Sequence, residues 1–428
     1  MFIFSTLGAV GVSLPGCQLA APQQKTLTGV RTASIVVPGT PWAITYASQT
    51  DRAFVTLTGL SVDGTTQFGN GSVGVLNTST FPPSLLHQIP LPEAYQPPGI
   101  ATTAVAGISQ LSLSPDGRRI WVAADQGAIV LDSELAAAGS SNSVLGSMNG
   151  TTAIQNPGYQ AVAVLITPND KYAIISQEHG NGSATVVTTT GNLDIFKLDD
   201  RTKSGIAGIP IGYLNLGYNV AGTVISPNGR HLYATSERYT VAGVRSSNTE
   251  PCSDLLPGFF SVIDLHQLED DPSTAHHNDI PAGYAPVKVI TSSDGKVVWL
   301  VSRESNALLA YDAEKLPLED SSSSKNQSAA LLATVQVGSS PVSLAFARDE
   351  TRILTADSNR FGYAGAVTGL TVIDVQAALE GKGNESVLGR IPMLAFPRDF
   401  ALSPDGRTML VTQYSMGRIQ AVDIDTLP

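Results

Sequence analysis

Apolar and polar positions along this chain fall into one unit that returns seven times. The clearest copy, Leu113-Ser-Pro-Asp-Gly-Arg-Arg-Ile-Trp-Val122, places a polar turn between two apolar runs. It recurs as Ile225-Ser-Pro-Asn-Gly-Arg-His-Leu-Tyr-Ala234 and Leu402-Ser-Pro-Asp-Gly-Arg-Thr-Met-Leu-Val411. Weaker copies begin at Ile166, Thr291 and Phe346, and a degenerate seventh begins at Tyr46. Pro presets φ, Asp or Asn accepts turn geometry, and Gly allows φ > 0, so each unit predicts a β-hairpin. A third apolar run follows and usually ends in Asp, as in Ser261-Val-Ile-Asp264, Leu309-Ala-Tyr-Asp312 and Thr371-Val-Ile-Asp374. A fourth run, such as Leu332-Ala-Thr-Val-Gln-Val337, precedes the next copy.

Four short strands per repeat predict one propeller blade. The fold class is therefore all-β: a seven-bladed β-propeller of four-stranded blades. Too few residues follow the last turn to finish a blade. The segment Gly29-Val-Arg-Thr-Ala-Ser-Ile-Val-Val37 reads as the missing outer strand. An N-terminal strand thus closes the ring and removes an open edge. The domain reading is a leader over 1–24 and one propeller over 25–428.

The repeat resembles the YVTN-repeat and lactonase-like family of seven-bladed propellers. The resemblance rests on Pro341-Val-Ser-Leu-Ala-Phe346, on Val372-Ile-Asp374 and on the Ser-Pro-Asp-Gly turns. It implies fold strongly and activity weakly, because one fold hosts many functions.

In this strand order the inner strand descends from a top face to the Pro-Asp-Gly turn. Loops between the second and third strands then share the top with the connections between blades. Asp132, Asp264 and Asp374 each precede a short helical pattern on the bottom face and read as N-caps. The long insertions, at about 58–73, 90–106 and 237–258, fall on the top, where function tends to sit. The Pro-rich stretch Pro90–Gly99 reads as a stiff lid.

The candidate chemistry gathers at the same end. Tyr159, Tyr218 and Tyr284 each follow Gly just before an inner strand. They read either as packing that seats each blade or as an aromatic collar for a flat ligand. Trp42 belongs at that level. Second strands end in Glu178-His179, Glu237-Arg238, Arg303, Asp357, Arg360 and Tyr414, while inner strands begin with Gln110, Gln160, Asn219, Lys288, Arg398 and Asp399. Only 14% of the residues are charged, so this clustering is notable. It reads either as a solvated rim of ion pairs or as a reacting pocket. In the second reading Glu237, Lys288, Arg398, Arg303 and His179 carry catalysis. Glu or His moves protons there, and Arg or Lys stabilises an oxyanion or enolate. The other residues named hold the ligand.

Composition narrows the options. A net charge of −11 argues against a nucleic-acid phosphate partner, and no membrane-spanning apolar run follows the N-terminus. Gly-x-Ser-x-Gly, Cys-x-x-Cys and His-Glu-x-x-His are absent. Gly69-Asn-Gly71-Ser-Val-Gly74 matches a dinucleotide fingerprint only by letter, without its strand-to-helix setting. Serine hydrolase and dehydrogenase chemistry are thus unsupported. His276-His277, with Glu269, Asp270, Asp271 and Asp279, reads as a solvated bottom loop. The expectation is a cofactor-independent enzyme for a small organic substrate, of lyase, dehydration or cyclisation type. Some propellers resembling this repeat class catalyse hetero-Diels–Alder cyclisation in natural-product pathways. The alternatives are a lactone hydrolase, which would call for a divalent metal, and a non-catalytic binding module.

Residues 1–14 resemble the apolar core of a secretory signal, with cleavage near Ala20 or Ala21, although no Lys or Arg precedes Lys25. Six N-x-Ser/Thr sites, at Asn70, Asn77, Asn149, Asn181, Asn326 and Asn384, add to the expectation of a secreted glycoprotein. Cys17 and Cys252 can form one bridge if the leader is retained. The pattern carries no information on oligomeric state.

Overall fold

Seven four-stranded antiparallel sheets are arranged as the blades of a propeller. The computed structural model describes residues 13–18, 21, 24–47, 51–58, 71–92, 108–124, 127–149, 161–178, 190–198, 207–238, 256–316 and 329–428. In chain order, β1 (Thr32–Val36) stands apart, and the first complete blade is β2 (Thr40–Tyr46), β3 (Arg52–Thr58), β4 (Ser72–Asn77) and β5 (Ser84–Pro90). The second is β6 (Ile108–Leu113), β7 (Arg119–Ala124), β8 (Gly127–Asp132) and β9 (Val144–Asn149). The third is β10 (Ala161–Ile166), β11 (Tyr172–Gln177), β12 (Asn192–Leu198) and β13 (Gly208–Asn215). The fourth is β14 (Tyr218–Ile225), β15 (His231–Arg238), β16 (Phe259–Asp264) and β17 (His277–Pro281). The fifth is β18 (Pro286–Thr291), β19 (Val297–Ser302), β20 (Ala307–Asp312) and β21 (Leu331–Gln336). The sixth is β22 (Pro341–Ala347), β23 (Arg352–Asp357), β24 (Gly369–Asp374) and β25 (Val387–Pro392). The last joins β26 (Pro397–Leu402), β27 (Thr408–Gln413) and β28 (Arg418–Asp423) to β1, which pairs antiparallel with β28 from Thr32↔Val422 to Val36↔Arg418. Both ends of the chain therefore share one sheet, as the sequence predicts.

The repeated letters have local causes. In the second blade the Ser114 hydroxyl donates to the Asp116 carboxylate (2.6 Å), which accepts from the Arg118 N–H (3.0 Å). The same lattice forms around Thr167/Asn169, Ser226/Asn228, Ser292/Asp294 and Ser403/Asp405. Gly117 closes the turn with φ +71°, where a side chain would be strained. The strand-ending Asp is a cap. Asp132, Asp264 and Asp374 accept from Leu135, Gln267 and Ala377 N–H groups and start the bottom-face helices Ser133–Ala137, Leu265–Asp270 and Val375–Leu379.

Seven apolar clusters hold the ring, one at each blade–blade junction. Second strands supply Trp121, Trp299, Tyr233 and Phe54, among the largest fully buried side chains. Burying a large side chain of this kind contributes roughly 1.5–3 kcal/mol. No blade could bury these faces alone.

Candidate active site in the top cavity

Each inner strand is interrupted at its first turn of ladder. The pairing skips Trp42–Ala43, Ser109–Gln110, Val162, Ala221–Gly222, Val287, Val342 and Arg398–Asp399. A bulge frees side chains from the sheet and re-aims them. Apart from Gly222, all of the skipped residues line one central cavity of about 330 Å³. The ends of the second strands complete the wall with Glu178, Glu237, Arg303, Arg360 and Tyr414. The cavity thus lies at the top of the channel, on the predicted face.

Threonines fix three of these bulges. Thr56 accepts from the Ala43 N–H (3.0 Å) and donates to the Ser109 carbonyl of the next blade (2.7 Å). Thr412 likewise accepts from the Asp399 N–H (3.0 Å) and donates to the Trp42 carbonyl (3.1 Å). Thr235 accepts from the Gly222 N–H at 2.8 Å. The cavity wall is therefore bonded from blade to blade, not merely packed.

The charged lining is unevenly paired. Arg303 grips Glu237 with two parallel hydrogen bonds of 2.7 and 2.8 Å, and both residues are buried. Burial pushes the Glu237 carboxyl up, but the charge and hydrogen bonds of Arg303 override it and hold it below the usual range. Glu304 extends this cluster, 3.6 Å from Arg303 and 3.7 Å from Arg238. Lys288 faces Asp399 at 3.7 Å, and Asp399 also accepts from Ser343 (3.4 Å) and the Ile44 N–H (3.3 Å).

Two arginines have no such partner. The Arg398 guanidinium lies 3.3 Å from the Trp42 ring centroid, with Tyr414 at 5.1 Å and Phe396 at 5.5 Å. Rings at these distances hold a cation flat by its charge and its planarity. Among the described residues, no carboxylate lies within ion-pair distance of Arg398 or Arg360. Desolvation first, then the neighbouring Arg360, pushes Arg398 down to about 9. It remains a cation at neutral pH, held at a cost that an incoming anion relieves. Glu178 lines the same space, with no hydrogen-bond donor on its carboxylate among the described residues. The lining carries four cations (Lys288, Arg303, Arg360, Arg398) against three carboxylates (Glu178, Glu237, Asp399), a surplus of one positive charge. The chain as a whole stands at −11.

Of the residues singled out in the sequence, Trp42, Gln110, Glu178, Asn219, Glu237, Lys288, Arg303, Arg360, Arg398, Asp399 and Tyr414 line this cavity. Tyr159, Gln160 and His179 lie outside the described residues, as do most of the three long top insertions. Four placements need correction. Tyr218 is buried and Tyr284 half-buried, and neither lines the cavity, so they form no collar there. The Gly-Tyr glycines instead seat the blades: the Gly217 and Gly283 carbonyls accept from the Gly191 and Gly258 N–H groups at 2.7 Å. Arg238 is buried against Glu304. Asp357 is buried among hydroxyls, accepting from Thr355 (2.8 Å) and Thr371 (2.6 Å) away from the cavity. Sequence reading missed Ser109, Ser343 and Phe396. Ser109 stands in a bulge and Ser343 directly follows one, so alignment of the seven inner strands would have found them.

Among the described residues, no group of three or more His, Cys, Asp or Glu is placed to hold a metal ion, and no helix is long and apolar enough to cross a membrane. Cys17 is disulfide-bonded, while Cys252 lies outside the described residues. The N-terminal segment runs along the fifth and sixth blades. The Gln18 N–H donates to the Glu304 carbonyl (2.7 Å) and the Ala21 N–H to Ser339 (2.9 Å), and the Gln24 side chain lies 2.6 Å from the Thr371 hydroxyl.

No known family profile matches the chain, and no curated protein does so. Solved structures do. A chain of the mitotic checkpoint complex is 14% identical with a TM-score of 0.57, covering 99% of each chain. The β-propeller domain of Cps50 (Swd1) from Myceliophteria thermophila is 11% identical with a TM-score of 0.57, over 91% of this chain and 99% of its own. At such identities the likeness is one of architecture: the chain is a seven-bladed β-propeller.

Proposed function

We propose that this propeller is a cofactor-independent enzyme acting on a small organic molecule in the top cavity, by isomerisation, dehydration or cyclisation. The observation that carries this reading is the pair of arginines, Arg360 and Arg398, facing the hollow without carboxylate partners. An unneutralised cation in a partly desolvated wall costs free energy, and that cost is recovered when negative charge develops on a reacting oxygen. Glu178 is the proton acceptor in this reading. It takes a proton from a carbon beside a carbonyl, the electron pair moves onto the carbonyl oxygen, and an arginine holds the resulting oxyanion. Return of a proton from Lys288 to carbon completes an isomerisation. Protonation of a departing hydroxyl completes a dehydration. Glu237 is not the base, because Arg303 already occupies both of its oxygens. A volume of about 330 Å³ suits a compact molecule and lies at the low end of small-molecule sites, roughly 300–1,000 Å³.

The test is turnover of aromatic polyketides, lactones and enolisable carbonyl compounds, followed by mass spectrometry. Glu178→Gln, Lys288→Met and Arg360→Gln should each lower kcat about 100-fold or more while the protein stays folded. Turnover untouched by all three would refute the assignment.

A further inference from the structure

The charge of the substrate is set by the pairing of side chains inside the cavity. Arg303 is paired through two hydrogen bonds with Glu237, and Lys288 faces Asp399. The side chains left over are Arg360, Arg398 and Glu178. One positive charge therefore remains unbalanced inside the hollow. The two arginines are not equivalent. Arg398 comes from a bulge in an inner strand, and its flat face is covered by Trp42 at 3.3 Å. Arg360 follows the end of a second strand and is exposed at the rim. A guanidinium whose face is stacked can reach a ligand only through its N–H edge, and that edge matches the two oxygens of a carboxylate. Trp42 is itself anchored, because its carbonyl accepts from Thr412, the residue that also holds Asp399. The fork is thus pre-organised, so little ordering remains to be done on binding.

We infer that the cavity takes a singly charged organic carboxylate, with Arg398 as its seat and Arg360 left free for a second, reacting oxygen. This rests on the small-molecule reading of the same cavity. It assigns Arg398 to recognition of a permanent charge and Arg360 to the oxygen that changes charge. A neutral lactone or a phosphate dianion would fit the charge balance less well than one carboxylate does.

Benzoate and its neutral isostere benzamide are the probes, with inorganic phosphate as a third, titrated into the full chain and followed by calorimetry at low ionic strength. Benzoate should bind at least tenfold more tightly than benzamide and more tightly than phosphate. Arg398→Lys keeps the charge but removes the fork, and should weaken benzoate at least tenfold. Arg360→Gln, at the rim, guards against misfolding of the first variant and should weaken benzoate less. Equal binding of benzoate and benzamide, tighter binding of phosphate, or an unchanged benzoate affinity in a folded Arg398→Lys protein would overturn the inference. Carboxylate binding with no turnover of any compound would keep the seat and remove the enzyme. Turnover without carboxylate preference would do the opposite.

Discussion

Thr412 stands between Asp399 and Trp42, accepting from the N–H of one (3.0 Å) and donating to the carbonyl of the other (3.1 Å). One hydroxyl thereby sets a bulge in the last blade and ties it to the first, across the seam that closes the ring. It also positions the stacked pair in the cavity, since Arg398 belongs to the same bulge and lies on Trp42. Thr412→Val preserves shape but leaves a half-buried N–H and a half-buried carbonyl without their partner, at a cost of about 1 kcal/mol or more. Denaturant unfolding should show this loss, and ligand affinity should fall with it. Val at no cost would mean that the seam is held by packing alone.

The tryptophans provide a direct reporter. Trp121 and Trp299 are fully buried within their blades, whereas Trp42 lines the cavity. A ligand entering the hollow should change intrinsic fluorescence through Trp42 alone. Trp42→Phe should abolish the ligand-induced change while leaving most of the total emission. A signal that survives in the variant would place binding elsewhere.

Glu237 and Arg303 should behave as one unit. Removing either partner leaves a buried charge unpaired, which costs about 3–5 kcal/mol. Glu237→Gln and Arg303→Met should each lower stability on that scale, and the double variant should cost clearly less than their sum. Additive losses would mean that the two side chains are not coupled.

Asp357 should make stability depend on pH. Desolvation pushes its carboxyl up to about 7, against hydrogen bonds from Thr371 and Thr355, while the ordinary value is 3.8. Between those values the folded chain holds a proton that the unfolded chain has released. Its contribution to stability is therefore full below the lower value and lost as pH rises towards the upper one. At about 1.4 kcal/mol per unit, the excursion is on the order of 4 kcal/mol. Asp357→Asn abolishes the titration. Its advantage over the native chain should grow from pH 4 to pH 7 and then level off. A difference independent of pH would show that Asp357 stays ionised when folded.

Much of the architecture was legible because each letter of the repeat has a local cause. Ser114 and Asp116 build a turn through their own side chains, and Asp374 caps a helix three residues on. Such short-range chemistry repeats wherever the letters do, and seven repeats leave few ways to bury the faces around Trp121 and Trp299. The level of the site was legible for the same reason, since Lys288 and Asp399 share one position in the repeat and Arg398 stands one residue before it. Pairing was not. That Arg303 is consumed by Glu237 while Arg398 is left on Trp42 depends on side chains from different blades, up to 356 residues apart for Trp42 and Arg398. The tyrosines misled because Gly-Tyr looks alike whether the ring faces a cavity or a seam. The close approach at Gly217, where an added Cβ would lie 2.5 Å from the Arg238 carbonyl, is visible only in three dimensions.

The carboxylate seat on Arg398 is open to direct view in a crystal structure of the protein soaked with benzoate. The expected result is a carboxylate in the top cavity, with both oxygens on the N–H edge of Arg398 and within about 3 Å. An empty cavity at a saturating concentration, or a carboxylate bound on another face while Arg398 stays unoccupied, would contradict it.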